Sequence, residues 1–466
     1  MSRPLPTGFV LGAATSAFQI EGAADRRGET IWDRFIAQRG LPDDGRHACD
    51  HVDRVEQDLD LMAELGLEAY RFSVAWARVL PEGQGRPDPR GLGFYDRLVD
   101  GLLERGITPW LTLYHWDLPQ HLEDVGGWCS RATVGRFTDY ASLMADTLGD
   151  RVVNWITHNE PWVASMLGHR DGVFAPGGTD MTEALTVAHH LLVSHGAAAQ
   201  AIRSHAPAAR IAIAVDCRPA VPATDREPDV EATRHFDGFR NRWFLDPLFG
   251  LGYPEDMVAT YSEQGRFDAR PYGDGPVLEG DLELIAQPLD VLGLNYYTGI
   301  RMRAGSEEDE TPEVLPGPNP PRGHTEMGWA IQPDVLHDFL LRLMRDYAPA
   351  SVMITENGAS FSDAPGPDGR VRDARRIAYL HGHLVAALDA RAAGVPIEGH
   401  LTWSLLDNLE WTQGFAQRFG IVWVDHATQR RVVKDSGWWL RDAIAERRLP
   451  EPLEPLEALK VERTGR

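Results

Sequence analysis

Eight short apolar runs, each followed by a stretch with helical spacing, leave this chain few folds to adopt. The runs are Phe9–Ala14, Glu68–Trp76, Thr108–Leu113, Val152–Glu160, Arg210–Asp216, Leu289–Leu294, Val352–Glu356 and Ile397–Leu405. Helices are expected over 56–66, 92–105, 133–148, 181–205, 231–245, 333–347, 373–393 and 436–446. Strands alternating with helices predict a parallel sheet, and eight such units predict a closed barrel. The expected class is therefore α/β: a single (β/α)8 TIM barrel over residues 1–466 with loop insertions at its C-terminal face. No Gly- or Ser-rich linker divides the chain. Residues 217–230 and the acidic, then Pro-rich, segment Glu307–Arg322 read as surface insertions after the fifth and sixth strands.

In such a barrel the interior is packed with side chains, and chemistry sits where the strands end. Two runs end on a carboxylate: Val352–Glu356 before Asn357-Gly358, and Val152–Glu160 before Pro161. Strands four and seven, three places apart in a ring of eight, stand on roughly opposite sides, so Glu160 and Glu356 are expected to meet across the mouth. Five other strands bring Gln19, Arg71, His115 with Trp116, Asn295 with Tyr297, and Trp403 followed by Glu410 and Trp411 to the same rim. Asn159 adjoins Glu160. A carboxyl pair among amides and indoles suits glycoside hydrolysis, in which one acid protonates the leaving oxygen and the other attacks or activates water. A gap of about 5–5.5 Å gives retention and about 6.5–9.5 Å gives inversion. Arg71 and Tyr297 are candidates to hydrogen-bond Glu356 and hold it ionised, while the Glu356 charge would raise the pKa of Glu160.

Lys+Arg 46 against Asp+Glu 69 gives a net charge of −23, which opposes nucleic-acid and anionic-membrane binding. No apolar run reaches the ~18 residues of a membrane span. The N-terminus carries no basic-then-apolar leader. Cys49, Cys129 and Cys217 are too scattered for a disulfide framework or a metal knuckle. A cytoplasmic location is expected, with no metal or cofactor. His189, His190 and His195 share one helix but lack an acidic ligand motif, so structural roles are expected for them.

The segments Gly12–Gly22, Arg71–Trp76, His115–Pro119, Asn159-Glu160-Pro161, Trp243–Pro247, Leu294–Tyr297, Ile354–Gly358 and Trp403–Trp411 resemble the family 1 glycoside hydrolases, over nearly the whole chain. The resemblance implies a retaining exo-β-glycosidase acting on terminal non-reducing β-D-glucosyl residues, with β-galactosyl and β-fucosyl residues as further candidates. β-Glucosides, cellobiose and short cello-oligosaccharides are the implied substrates. It implies Glu356 as nucleophile and Glu160 as acid/base, with Arg71, Asn295 and Tyr297 beside them. Gln19, His115, Trp116, Asn159, Glu410, Trp411 and Phe419 fall in the sugar-binding set, with Trp403 as stacking platform. Trp329 stands on the aglycone side, and Trp162 and Leu167 narrow the entrance. His158 departs from the family's usual apolar or aromatic residue, and its position makes it a candidate to tune the acid/base. Glu410 argues against the phospho-sugar members, which place Ser there, because a carboxylate repels a 6-phosphate. Glu160 argues against the myrosinase-like members, which carry Gln. A silent sugar-binding barrel, a metal-dependent hydrolase and a transglycosylase stay open as alternatives, and so does the oligomeric state.

Overall fold

A computed structural model describes residues 3–305, 312–316 and 323–452. Eight parallel strands close a barrel: β1 (Val10–Ala14), β2 (Ala69–Ser73), β3 (Thr108–Tyr114), β4 (Asn154–Asn159), β5 (Arg210–Asp216), β6 (Val291–Asn295), β7 (Val352–Asn357) and β8 (Ile397–Trp403). Each strand pairs with its sequence neighbours, and β8 closes on β1 through Gly399↔Val10 to Trp403↔Ala14. The helices over Met181–His205 and Pro333–Tyr347 lie where their spacing predicts.

Period-two alternation divides the core into two shells. Outward residues such as Trp155, Ile211, Ile213 and Ile354 join the large cluster beneath the helices. Inward residues such as Trp110, Ile156, Ala212, Ala214, Met353 and Leu401 fill the barrel and run up to Trp403 and Phe419 at the mouth. Each fully buried large apolar side chain contributes roughly 1.5–3 kcal/mol. The 25-residue helix Met181–His205 is buried on most of its circumference because it packs against Ala132–Leu148 as well as the barrel side. Asp180 starts it by accepting from the N–H groups of Thr182 and Glu183.

The structure departs from the expectations in three places. The helix expected over 231–245 is broken into Glu227–Asp237, a wide π-type turn over Gly238–Arg242, and Trp243–Leu248. The 217–230 insertion contains a strand, Ala220–Pro222, which pairs with Ile300–Arg303; Glu313–Pro316 completes a three-stranded sheet. Most of the Glu307–Arg322 segment lies outside the described residues. Helices over Ile31–Arg39 and Glu255–Glu263 were not foreseen. The first carries a reciprocal cap in which Thr30 accepts from the Asp33 N–H and Asp33 accepts from the Thr30 N–H. No described helix is long and apolar enough to cross a membrane.

Candidate active site

Both glutamate-bearing strands carry one extra residue just before the carboxylate. Against β5, Ile156 pairs with Ala212 but Asn159 pairs with Ala214: three steps on β4 for two on β5. Against β6, Ile354 pairs with Leu294 and Glu356 with Asn295: two steps on β7 for one. Such bulges re-aim side chains. On β4 they turn both Thr157 and His158 outward, where Thr157 Oγ1 meets His195 Nδ1 at 2.7 Å and His158 Nε2 meets Ser194 Oγ at 2.8 Å. His158 stacks on Phe137 in the helix layer, so it does not tune the acid/base as its sequence position suggested. Asn159 then points inward. Glu160 follows at φ 49, a conformation non-glycine residues rarely adopt, with its N–H on the Ala214 carbonyl. On β7 the bulge lets Thr355 and Glu356 both face the interior. Gly358 follows for lack of room: a Cβ there would lie 1.7 Å from the Trp403 carbonyl oxygen.

A chain of short hydrogen bonds joins the two glutamates. Arg71 Nη1 donates to Glu356 Oε1 at 2.6 Å, and Arg71 Nη2 donates to Asn159 Oδ1 at 2.6 Å. Asn295 Nδ2 donates to the same Asn159 oxygen at 3.0 Å and to Glu160 Oε1 at 2.6 Å, while its own oxygen accepts from Thr355 at 2.7 Å. That last bond fixes which way the Asn295 amide points. Tyr297 Oη donates to Glu356 Oε2 at 2.6 Å. Arg71, Asn159 and Asn295 thus sit behind the cavity wall, while Glu160, Glu356 and Tyr297 form part of it.

The cavity holds about 240 Å³. Trp403, Trp411, Trp116 and His115 form one wall, with Trp116 and Trp411 ring centroids 4.6 Å apart. Trp116 and Trp411 also sit at left-handed φ, 75 and 48. Trp329, Phe419, Trp162 and Leu167 line the rest. Two buried polar atoms in this wall have no partner among the described residues: His115 Nδ1 and Glu410 Oε2. Asn159 Nδ2 lies 3.0 Å from His115 Nε2, which makes Nε2 the acceptor and leaves a proton on Nδ1. An unused donor and an unused acceptor in one aromatic pocket are what a polyhydroxylated ligand requires. Gln19 is tied down instead: its Oε1 accepts from Ser16, and its Nε2 donates to Asn408 Oδ1 and the Leu409 carbonyl.

A model of the glycosyl hydrolase family 1 matches residues 1–449. The chain belongs to glycosyl hydrolase family 1. Beta-glucosidase A of Acetivibrio thermocellus is 43% identical over 94% of this chain and 98% of that protein. A bifunctional beta-D-glucosidase/beta-D-fucosidase of Bifidobacterium breve is 41% identical over 96% of this chain and 99% of its own length. A beta-glucosidase from Thermotoga maritima in complex with glucoimidazole superposes with TM-score 0.89 at 40% identity, over 95% of this chain and 99% of that one.

In this family 1 chain the two glutamates differ in electrostatics. Burial raises both above the ordinary carboxyl range. At Glu356 the Arg71 guanidinium and the Tyr297 hydroxyl oppose it, and the Asp216 charge adds to it. At Glu160 the charges of Asp216 and Glu356 add to burial, and only Asn295 and the more distant Arg240 oppose them. Glu160 is therefore the partner that holds the proton. Arg71 and Tyr297 do bond Glu356 as expected, but burial outweighs them, so Glu356 is the more readily ionised of the two only relative to Glu160. Burial, and then the Glu356 charge, push Glu410 up to about 8. The exclusion of a 6-phosphate by a Glu410 charge is weakened accordingly. The cavity's remaining cations, Arg218 and Arg240, neighbour Asp216 instead.

Asp216 was missed, although the sequence carried the signal. Ile211, Ile213 and Val215 form the outward face of β5, so Ala212, Ala214 and Asp216 form the inward one. Asp216 is ion-paired with Arg240, whose guanidinium lies 3.4 Å from the Trp162 ring centroid. The three helix histidines diverge: His189 meets Tyr253 and Asp281, His190 the Trp128 carbonyl, and His195 Thr157.

Proposed function

We propose that this protein is a retaining exo-β-glycosidase that removes terminal non-reducing β-D-glucosyl residues through a covalent glycosyl-enzyme. The observation that carries the reading is the unequal bonding of two buried glutamates in one cavity, Glu356 held by Arg71 and Tyr297 and Glu160 by Asn295. Glu356 attacks the anomeric carbon while Glu160 delivers its proton to the leaving oxygen. Once Glu356 is esterified its charge is gone, so Glu160 loses a neighbour that kept it protonated. It then ionises and takes a proton from the water that releases the sugar. Asn295 stays on Glu160 through both steps. Trp403 and Trp411 stack on the sugar, and His115, Glu410, Asn159 and Gln19 bind or support the groups that hold its hydroxyls.

β-Glucosides, cellobiose and short cello-oligosaccharides are the substrates, and the Bifidobacterium relative supports β-fucosides as a second glycone class. The enzyme works as one (β/α)8 domain over residues 1–466, supported by the family match over 1–449. Three unpaired cysteines, Cys49, Cys129 and Cys217, support a reducing, cytoplasmic setting. The test is Glu356→Gly against a chromogenic aryl β-glucoside. Turnover should disappear while the fold is kept, and parental turnover by this variant would overturn the assignment.

A further inference from the structure

One arginine in the catalytic cavity has no use in the mechanism. Arg218 follows the inward-pointing Asp216 by two residues and lines the same cavity. Its main chain is clamped on both sides, since its N–H donates to Asn241 Oδ1 at 3.0 Å and its carbonyl accepts from Asn241 Nδ2 at 3.3 Å. Its guanidinium makes no hydrogen bond or ion pair among the described residues, although the chain carries 69 acidic residues. Burial, and then the charge of Arg240, bring its pKa down to about 10, which leaves it cationic at neutral pH. Arg218 is half-buried, so its guanidinium stands partly open to the cavity with no bonded anion, a placement suited to taking one from a ligand.

The neighbouring charges give the sign of that partner. Asp216 is taken up by Arg240, so the pair is neutral and Arg218 adds one uncompensated positive charge. The cavity that Arg218 lines is rich in aromatic side chains. Trp162 carries Arg240 on its face, and Leu167 and Trp329 line the same cavity. This wall differs from the Trp403–Trp411 wall, where the unpartnered His115 and Glu410 atoms lie.

We infer that Arg218 forms an anion subsite on the leaving-group side, and that the enzyme prefers β-glucosides of aromatic alcohols bearing a carboxylate. A planar guanidinium matches a carboxylate with two parallel N–H donors, and the apolar wall takes the ring. The inference rests on the glycosidase reading above.

The test compares 4-carboxyphenyl and 3-carboxyphenyl β-D-glucosides with their methyl esters. The quantity read is the ratio of kcat/KM for acid over ester, in the parent and in Arg218→Met. Leaving-group chemistry cancels between the two enzymes. The ratio should fall about tenfold in Arg218→Met for at least one of the two isomers, with the change in KM, since a charge-assisted bond at a partly exposed site is worth about that much. Arg218→Lys should retain part of the preference. In the parent, added salt should lower the ratio by weakening only the acid's binding. An unchanged ratio in Arg218→Met overturns the inference. If that variant does not fold, a salt-independent ratio in the parent overturns it. Failure of the parent to hydrolyse even the neutral esters would instead sink the glycosidase reading.

Discussion

Tyr297→Phe tests the site's electrostatics at one atom. The Tyr297 hydroxyl donates to Glu356 Oε2 at 2.6 Å, and its ring packs beside Trp329 and Phe419 at centroid distances of 5.2 and 6.2 Å. Phe keeps that packing and removes only the donor. A hydrogen bond to a charged group is worth about 1.5–3 kcal/mol, and 1.36 kcal/mol corresponds to one pKa unit, so the pKa of Glu356 should rise by about 1–2 units. The sign follows from the donor: Tyr297 favours the ionised carboxylate, so its loss favours the protonated form. Glu356 must be ionised to attack. The acid limb of kcat/KM for the free enzyme should therefore move to higher pH by about 1–2 units. The alkaline limb belongs mainly to Glu160, which Tyr297 does not hydrogen-bond, and should move less. Two glutamates this closely coupled titrate as a pair, so the limbs are macroscopic values of that pair. The assay is a pH series of kcat/KM with an aryl β-glucoside, for parent and variant side by side. An acid limb coincident with the parent's, at whatever reduced rate, would refute the claim that this bond sets the nucleophile's charge. A shift confined to the alkaline limb would refute the assignment of the limbs.

Three further perturbations address other parts of the molecule. Glu160→Ala should retain the first step for substrates with good leaving groups and lose roughly 10²–10⁴-fold in steps that need proton transfer; added azide should restore turnover, and a folded variant indifferent to azide would remove Glu160 from the acid/base role. Asp216→Asn removes a negative charge that helps keep Glu160 protonated, so the alkaline limb of kcat/KM should shift to lower pH; a shift to higher pH would contradict the electrostatic picture. Lys434 is fully buried, 3.0 Å from Asp363 and 2.9 Å from Asp407; Lys434→Met leaves Asp363 with Arg376 and Asp407 with Arg418 as their remaining cations and should cost about 3 kcal/mol, the lower end of the range for a broken buried pair, read from urea denaturation, with an unchanged midpoint counting against a structural role.

The barrel was legible because its determinants are local. Period-two and helical spacings are written in consecutive residues, and eight alternations admit one closed solution. The long helix and β5 were readable to the residue because Asp180 caps the one and clean alternation marks the other. The site was legible only in part. Convergence of polar residues at strand ends follows from topology, but which of two adjacent residues faces inward does not follow where a strand bulges. Strict alternation would carry His158 inward beside Ile156; the extra residue in β4 sends it into the helix layer and brings Asn159 into the hydrogen-bond chain. The same device on β7 lets Thr355 and Glu356 share the interior, so the reacting carboxylate exists as such only because the sheet is irregular there.

Charge states were the least legible property, because burial is a property of the assembled fold. A sequence reading can pair Glu356 with Arg71 and Tyr297, but it cannot weigh those bonds against the loss of water that raises every carboxyl in this cavity. The alternation of β5 does place Asp216 inward, but its weight among the charges that keep Glu160 protonated comes only with the assembled fold. The asymmetry between two chemically identical side chains therefore arises from unequal surroundings. Glu356 has a cation and a hydroxyl against the Asp216 charge; Glu160 has one amide donor and a more distant Arg240 against two negative neighbours, Asp216 and Glu356. Altering either set of neighbours should exchange some of that asymmetry without touching a glutamate, which is why Tyr297→Phe and Asp216→Asn are expected to move opposite limbs of one pH profile toward each other.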